Sequence, residues 1–352
     1  MNQRPASATE TERVGGPSGG EHLDELVERL NRLIGSSKPR QEESSPKSEL
    51  TTATSPGPSL EDWAGTDFIP IEPQTLEEAQ LTESEVEALV LKYLLARGEA
   101  SGRAIADQVK LPFIIIDALL RRLKSDRLVA HRSDAPMNDY VYELSDLGRE
   151  RARRYSQLCS YFGSAPVSLS DYVSSVAIQS LTKQRPTRQD LQRALEGLVL
   201  SEEMLNRLGP AVNSGRGLFL YGAPGNGKTS IAERVTAAFG PYIWIPRAIG
   251  VDGEIIRVFD PVNHFEAPLP ETEGILDTRH IDKRWVRIRR PTIIAGGELT
   301  MSALEVTVNR ESGICEAPLQ LKSNCGTLVI DDFGRQRMPI QELLNSRTSF
   351  DA

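Results

Sequence analysis

The chain has 352 residues, a length that suggests about two domains. Lys and Arg number 41 against 49 Asp and Glu, and this formal net charge of −8 disfavours broad, sequence-independent binding to nucleic acid. No apolar run reaches the ~20 residues that span a bilayer, no export signal opens the chain, and Cys159, Cys315 and Cys325 are too scattered for a disulfide framework, so membrane-spanning and secreted classes are disfavoured and a cytoplasmic location is expected.

Residues 1–62 contain no Phe, Tyr or Trp, and their Ser- and Pro-rich stretches cannot bury enough apolar surface to offset the entropy of ordering. A disordered tail is expected. Within it, Leu23, Leu26, Val27, Leu30, Leu33 and Ile34 recur at helical spacing, giving a short amphipathic helix over 21–35 that Gly35 ends. Such a segment needs a surface to fold on, either a partner's or that of its own chain.

From Thr82 the signals sharpen. Thr82 and Glu85 make a capping-box pattern before Val86, Leu89, Val90, Tyr93 and Leu94, and Gly98 closes that helix. Ser101 caps a second helix carrying Ile105 and Val109, and Pro112 falls in the first turn of a third with Phe113, Ile116, Leu119, Leu120 and Leu123. A short apolar run (Leu128–Ala130), a turn at Ser133–Pro136, the strand-like Tyr140–Leu144 and a helix from about Ser145 follow. This order of elements over 80–156 resembles a mainly α winged helix-turn-helix domain. Its third helix begins Pro112-Phe113-Ile114-Ile115-Ile116, with no side-chain donor for base edges, and Asp117 would repel phosphate. Between Thr82 and Tyr155 there are 13 basic and 12 acidic residues, and Arg149, Arg151, Arg153 and Arg154 cluster. Contact with DNA and contact with a protein partner both stay open, and the apolar start of the third helix suits protein better.

Residues 157–185 read as a connector into a second domain over 186–352. Thr187 caps a helix with Leu191, Ala194, Leu195 and Leu198 on one side, and a further helix from Ser201 is expected to turn Met204, Leu205 and Leu208 inward. The apolar run Leu218–Tyr221 reads as a strand leading into Gly222-Ala223-Pro224-Gly225-Asn226-Gly227-Lys228-Thr229, a full match to the phosphate-loop pattern G-x-x-x-x-G-K-[ST]. Glycines at 222, 225 and 227 let the backbone turn and approach phosphate, and a helix with Ile231, Val235 and Phe239 on its buried face begins inside the loop. Lys228 would reach the β and γ phosphates and Thr229 would ligate Mg²⁺. Leu328-Val329-Ile330 then runs into Asp331-Asp332, an apolar strand delivering carboxylates to a sheet rim. Asp331 would hold Mg²⁺ through water, and Asp332 would orient or deprotonate the attacking water.

The loop, the acidic pair and the helices before the first strand together resemble the AAA+ ATPases, over about residues 186–345. Gly297-Glu298-Leu299-Thr300, Glu316-Ala317-Pro318-Leu319-Gln320 and Asp332-Phe333-Gly334-Arg335-Gln336 are similar to strings in bacterial members with an N-terminal winged helix. The resemblance implies an α/β P-loop NTPase fold, nucleotide contacts from residues 222 to 229 and Ser230, catalytic roles for Lys228 and Asp332, and Mg²⁺ near Thr229 and Asp331. It implies ATP hydrolysis coupled to remodelling of a macromolecular partner, in a homo-oligomeric ring when the chain is complete. Asp332 stands where the family usually has Glu. The alternative is a nucleotide-responsive interaction or regulatory protein with little ATPase activity.

In that family the strand feeding the loop lies between two strands that would follow Asp332. Only twenty residues follow it here, so the core is expected to be incomplete, with nothing to fix Lys228 and Asp331 around one ion, weak ATP binding and negligible hydrolysis. Between the motifs, Tyr242–Pro246 is expected as the second strand. Trp285, Arg287 and Arg289 would share a strand face, either solvated or contacting a nucleic acid or an acidic partner. His264, His280, Cys315 and Cys325 fit no zinc spacing, and ordinary packing is expected for them.

Overall fold

The computed structural model describes residues 68–223, 225–269, 281–339 and 341–343. The expected tail with its helix over 21–35, and Pro224, His280 and the residues after Leu343, lie outside the described residues. What is described is a mixed α/β fold with several sheets, and no helix among the described residues is long and apolar enough to cross a membrane.

The capping box forms reciprocally: the Glu85 N–H donates to the Thr82 hydroxyl (3.3 Å) and the Thr82 N–H to the Glu85 carboxylate (2.8 Å). It starts α1 (Glu83–Arg97), which ends at Gly98 with φ 84°. There follow β1 (Glu99–Ser101), α2 (Gly102–Val109), α3 (Phe113–Ser125), β2 (Val129–Ala135), β3 (Asp139–Leu144) and α4 (Asp146–Leu158). The three strands form an antiparallel sheet in the order β1-β3-β2. Pro112 is the residue before α3, not part of its first turn, because its ψ of 141° is extended and helical geometry starts at Phe113.

A buried carboxylate fastens this block. Asp139, at the start of β3, is 4% exposed and accepts from the N–H groups of Gly102 (3.1 Å), Arg103 (2.9 Å) and Tyr140 (2.7 Å). With the Ser101 hydroxyl accepting from Ala104 (3.2 Å), the first three N–H groups of α2 are satisfied, two of them from a strand 36 or 37 residues away. A side chain at Gly102 would collide with this carboxylate, since an added Cβ lies 2.6 Å from its oxygen.

The stretch expected as a connector contains β4 (Val167–Ser168) and α5 (Leu169–Gln179), the helix being started by the Ser168 hydroxyl. Next come α6 (Arg188–Ala194), with a Thr187–Asp190 capping box, and α7 (Glu202–Asn213), capped by Ser201. Leu191, Leu195, Leu208 and Val212 pack against Ile231, Val235 and Phe239, which belong to α8 (Lys228–Val235) and the 3₁₀ turn after it. Met204, expected inward, is 41% exposed, because the buried stripe of α7 is centred on Leu208 and Val212.

Leu218–Tyr221 does not form the expected strand. Among the described residues no ladder includes it, and Phe219 and Tyr221 are 66% and 86% exposed. A lone extended segment has no hydrogen-bonded neighbour to favour it over coil. The remaining strands are β5 (Tyr242–Pro246), β6 (Ala248–Val251), β7 (Glu254–Arg257), β8 (Trp285–Arg289), β9 (Thr292–Ala295), β10 (Thr307–Val308), β11 (Cys315–Glu316) and β12 (Thr327–Ile330), with α9 (Leu319–Lys322) before the last. A five-stranded sheet has the order β10-β11-β7-β6-β4, β5 pairs antiparallel with β8, and β12 pairs parallel with β9. Thus β5 is a strand as expected, paired with β8, and β9 lies beside the acidic strand.

The Arg-rich strand is neither solvated nor displayed. Trp285, Val286, Arg287 and Ile288 are all buried, and only Arg289 faces out. The Arg287 guanidinium lies 4.1 Å over the Tyr242 ring and donates to the Pro268 carbonyl (2.7 Å). Arg290 donates to the Gly240 carbonyl (3.1 Å) and to that of Cys325, and burial pulls its pKa down to about 10. Arg284 forks onto Asp282 (2.8 Å) and donates to the carbonyls of Ala79 (3.0 Å) and Pro166 (3.1 Å), so one side chain ties three distant segments together. Spacing alone does not distinguish an arginine that meets carbonyls from one that meets water.

Replacing Asp139 with Ala strands two helix N–H groups in a buried place. Urea denaturation of Asp139→Ala is expected to show a loss of about 2–3 kcal/mol.

Candidate functional site

The glycine loop takes the backbone its sequence requires. Gly222, Gly225 and Gly227 have φ of 150°, 84° and 69°. An added Cβ at Gly225 or Gly227 would meet nothing within 4 Å, so open space lies over the loop and the demand for glycine there is conformational. The loop residues Gly222, Ala223, Gly225, Asn226 and Gly227 are exposed, and Lys228, Thr229 and Ser230 are half-buried in the first turn of α8. No side chain caps α8 and its own first turn carries no acidic residue, so its N–H groups are left open to an anion. The Lys228 ammonium folds back over the loop and donates to the carbonyls of Gly222 (3.1 Å) and Ala223 (3.0 Å).

The second half of the site comes from β12. Its register with β9 ends at Ile330 opposite Ala295, and the Asp331 N–H adds one more ladder bond to the Ala295 carbonyl (2.9 Å). The Asp331 side chain then leaves the sheet at its C-terminal rim. One carboxylate oxygen accepts from the Thr229 hydroxyl (3.0 Å) and the other from the Asp332 N–H (2.9 Å). Thr229 and Asp331, expected to serve one ion, are therefore brought together by the chain as it stands, whereas Lys228 is engaged with its own loop.

The far end of the same helix is pinned too. Thr236 donates to the Thr327 hydroxyl (2.7 Å) and accepts from that of Thr292 (2.8 Å). Thr229 meets the end of β12 and Thr236 meets its start, so α8 runs antiparallel to the strand. Seven helical residues advance about 10 Å and four strand residues about 13 Å, so the two spans match closely enough for both contacts. Asp332 lies at the same rim with φ 48°; its side chain is 66% exposed and 3.7 Å from Arg335. Among the expected site residues, then, Thr229 and Asp331 touch, Lys228 and the glycines flank them, and Asp332 faces outward. The hydroxyl and carboxylate of the touching pair are hard oxygen donors of the kind Mg²⁺ accepts.

A clamp holds the segment that feeds β12. The His264 imidazole, 2% exposed, donates through Nε2 to the Lys322 carbonyl (2.8 Å) and accepts at Nδ1 from the Asp260 N–H (3.0 Å), which makes it the neutral tautomer. The Asp260 carboxylate receives the Lys322 ammonium (2.8 Å), the Asn263 amide (2.8 Å) and the Val262 N–H (3.0 Å). Burial opposes its ionisation, but these partners prevail and bring its pKa to about 2. Burial likewise lowers the pKa of His264, against the opposing pull of the Lys322 carbonyl and Asp260. Burial raises the thiols of Cys315 and Cys325 to about 12. No group of three or more His, Cys, Asp or Glu able to hold a metal occurs among the described residues.

Neither the threonine trio nor Gln336, whose amide binds the backbone of both acids, belongs to the glycine-loop or acidic-pair motif of the sequence. Threonines at the first positions of β9 and β12 were the available signal for the trio. Compared with known proteins, the chain matches no family model, and no curated protein matches it either.

Acid should loosen the clamp. A group whose folded pKa is depressed contributes its stability above the unfolded value, here 6.5 for His264 and 3.8 for Asp260. Stability in urea is expected to fall as pH drops below 6.5 and again between 3.8 and about 2, with His264→Gln showing a shallower first decline.

Proposed function

We propose that the chain binds ATP with Mg²⁺ at the glycine loop, and that the part from residue 186 onward is a P-loop ATPase core of the AAA+ kind. The contact of Thr229 with Asp331 carries this reading, because two motifs 102 residues apart converge on one spot. Gly222, Ala223, Gly225, Asn226, Gly227 and Ser230 would present N–H groups to the phosphates. Lys228 would exchange the Gly222 and Ala223 carbonyls for phosphate oxygens, a replacement of neutral acceptors by charged ones. Thr229 and Asp331 would hold the metal, which when bound neutralises phosphate charge. Asp332, at the same rim and paired with Arg335 (3.7 Å), would have to turn inward to orient a water for attack.

The block over 80–156 is proposed to be a winged-helix domain, on the support of its order α-β-α-α-β-β-α and its β1-β3-β2 sheet. Ion pairing favours a protein partner over DNA. Arg149 pairs with Asp146 (3.7 Å), Arg151 with Glu87 (2.6 Å) and Arg154 with Glu150, so three of the four clustered arginines are neutralised by their own chain. At the start of α3, Ile114 is 67% exposed. The second reading, a nucleotide-responsive interaction protein with little turnover, is favoured by one observation: Leu218–Tyr221, which leads into the loop, has no strand partner among the described residues.

Calorimetric titration with ADP and ATP in Mg²⁺ tests the first reading. The full chain should bind both, and Lys228→Ala should weaken binding by roughly 10- to 100-fold through loss of a charged hydrogen-bond donor. Absence of any binding by the unaltered chain sinks the proposal. For the winged helix, duplex DNA binding should show no steep salt dependence; a steep one, abolished by neutralising Arg149–Arg154, would reinstate DNA as the partner.

A further inference from the structure

Gln336 belongs to neither the glycine loop nor the acidic pair, yet its carboxamide holds the turn on which that pair sits. Nε2 donates to the carbonyls of Asp331 (2.8 Å) and Asp332 (3.1 Å), and Oε1 accepts from the Gly334 N–H (2.7 Å). The orientation of the amide is self-consistent, since carbonyls can only accept and an N–H can only donate. These carbonyls need such a partner. β12 ends at Ile330 and Asp331 keeps only its N–H in the ladder, so the Asp331 and Asp332 carbonyls lie beyond it, and a backbone bond from the Arg335 N–H to the Asp332 carbonyl (2.9 Å) closes the turn. The turn is also conformationally demanding, with Asp332 at φ 48° and Gly334 at φ 94°.

The direction of the Asp331 carboxylate depends on this turn. One oxygen is aimed by the Asp332 N–H and the other by Thr229. Should the turn relax, the Asp332 N–H moves away and the carboxylate rotates off Thr229. We infer that Gln336 is a positioning residue for Asp331, one that sets the affinity of the Thr229–Asp331 pair for a divalent cation without touching cation or nucleotide. This rests on the proposed nucleotide site, and it adds a residue and a measurable role to it.

The test uses the full chain and the Gln336→Met variant, which keeps the side chain's shape and removes its donors and acceptor. ADP affinity is measured by calorimetry in EDTA and in Mg²⁺, and Mn²⁺ binding in the presence of ADP by electron paramagnetic resonance. Groups that orient metal ligands typically contribute 10- to 100-fold in metal affinity, so Gln336→Met should lose at least about tenfold of the metal-linked gain and of Mn²⁺ affinity. Its ADP affinity in EDTA should match the unaltered chain. An unchanged metal-linked gain overturns the inference, and so does an equal fall in EDTA and Mg²⁺, which would mark Gln336 as merely structural. If the unaltered chain shows no metal-linked gain, the nucleotide-site reading itself fails and takes this inference with it, an outcome separable from the other two.

Discussion

A hydroxyl-to-carboxylate contact of 3.0 Å, from Thr229 to Asp331, is the constraint around which the site is arranged. It can exist only if α8 begins where β12 ends, at the C-terminal rim of the strand. The threonine trio at the other end sets the helix antiparallel to the strand, so it has little freedom to slide or turn. Parallel pairing of β12 with β9 places the loop after β9 at the same rim, and the Gln336 turn closes it on the other side. Without this strand the glycine loop would lead only into an uncapped helix end. With it, the helix start sets the Thr229 hydroxyl against the Asp331 carboxylate, and that juxtaposition supports the proposed nucleotide chemistry.

Buried arginines supply the framework behind the rim. Arg284, Arg287 and Arg290 are each at most 7% exposed, and each reaches backbone carbonyls far away in sequence. A guanidinium taken out of water is stable only when its donors are met, so these residues restrict the positions those segments can adopt. The bond from Arg290 to the Cys325 carbonyl matters for the site, because Cys325 lies just before β12. The His264–Asp260–Lys322 clamp acts on the same segment from α9. Two independent polar anchors thus hold the approach to the acidic strand, while apolar contacts of Ile330, Ala295 and Leu299 hold its end.

Part of the geometry around the glycine loop is legible in the sequence. The loop glycines adopt the positive φ that their residue type anticipates, and the acids follow an apolar strand as read. Gln336 stood in a string already noted, but its task was hidden, because a side-chain amide bonding backbone carbonyls leaves no spacing pattern. The same is true of Arg284, whose partners Ala79 and Pro166 lie more than a hundred residues away.

Helix starts at Thr82, Ser145, Thr187 and Ser201 follow from local sequence, since a cap needs only the next three residues to act, whereas the Ser101 start also draws on the distant Asp139. The sequence by itself also determined the loop conformation, which resides in the glycines. Tertiary structure alone decided that β9 and not β5 lies beside β12, that the Arg-rich strand is buried, and that Leu218–Tyr221 stays unpaired. A strand is stabilised by hydrogen bonds to a neighbour that its own residues do not specify, and a charged side chain is stabilised by whichever acceptors the fold brings to it. Both depend on distant chain, and so neither could be read from local pattern.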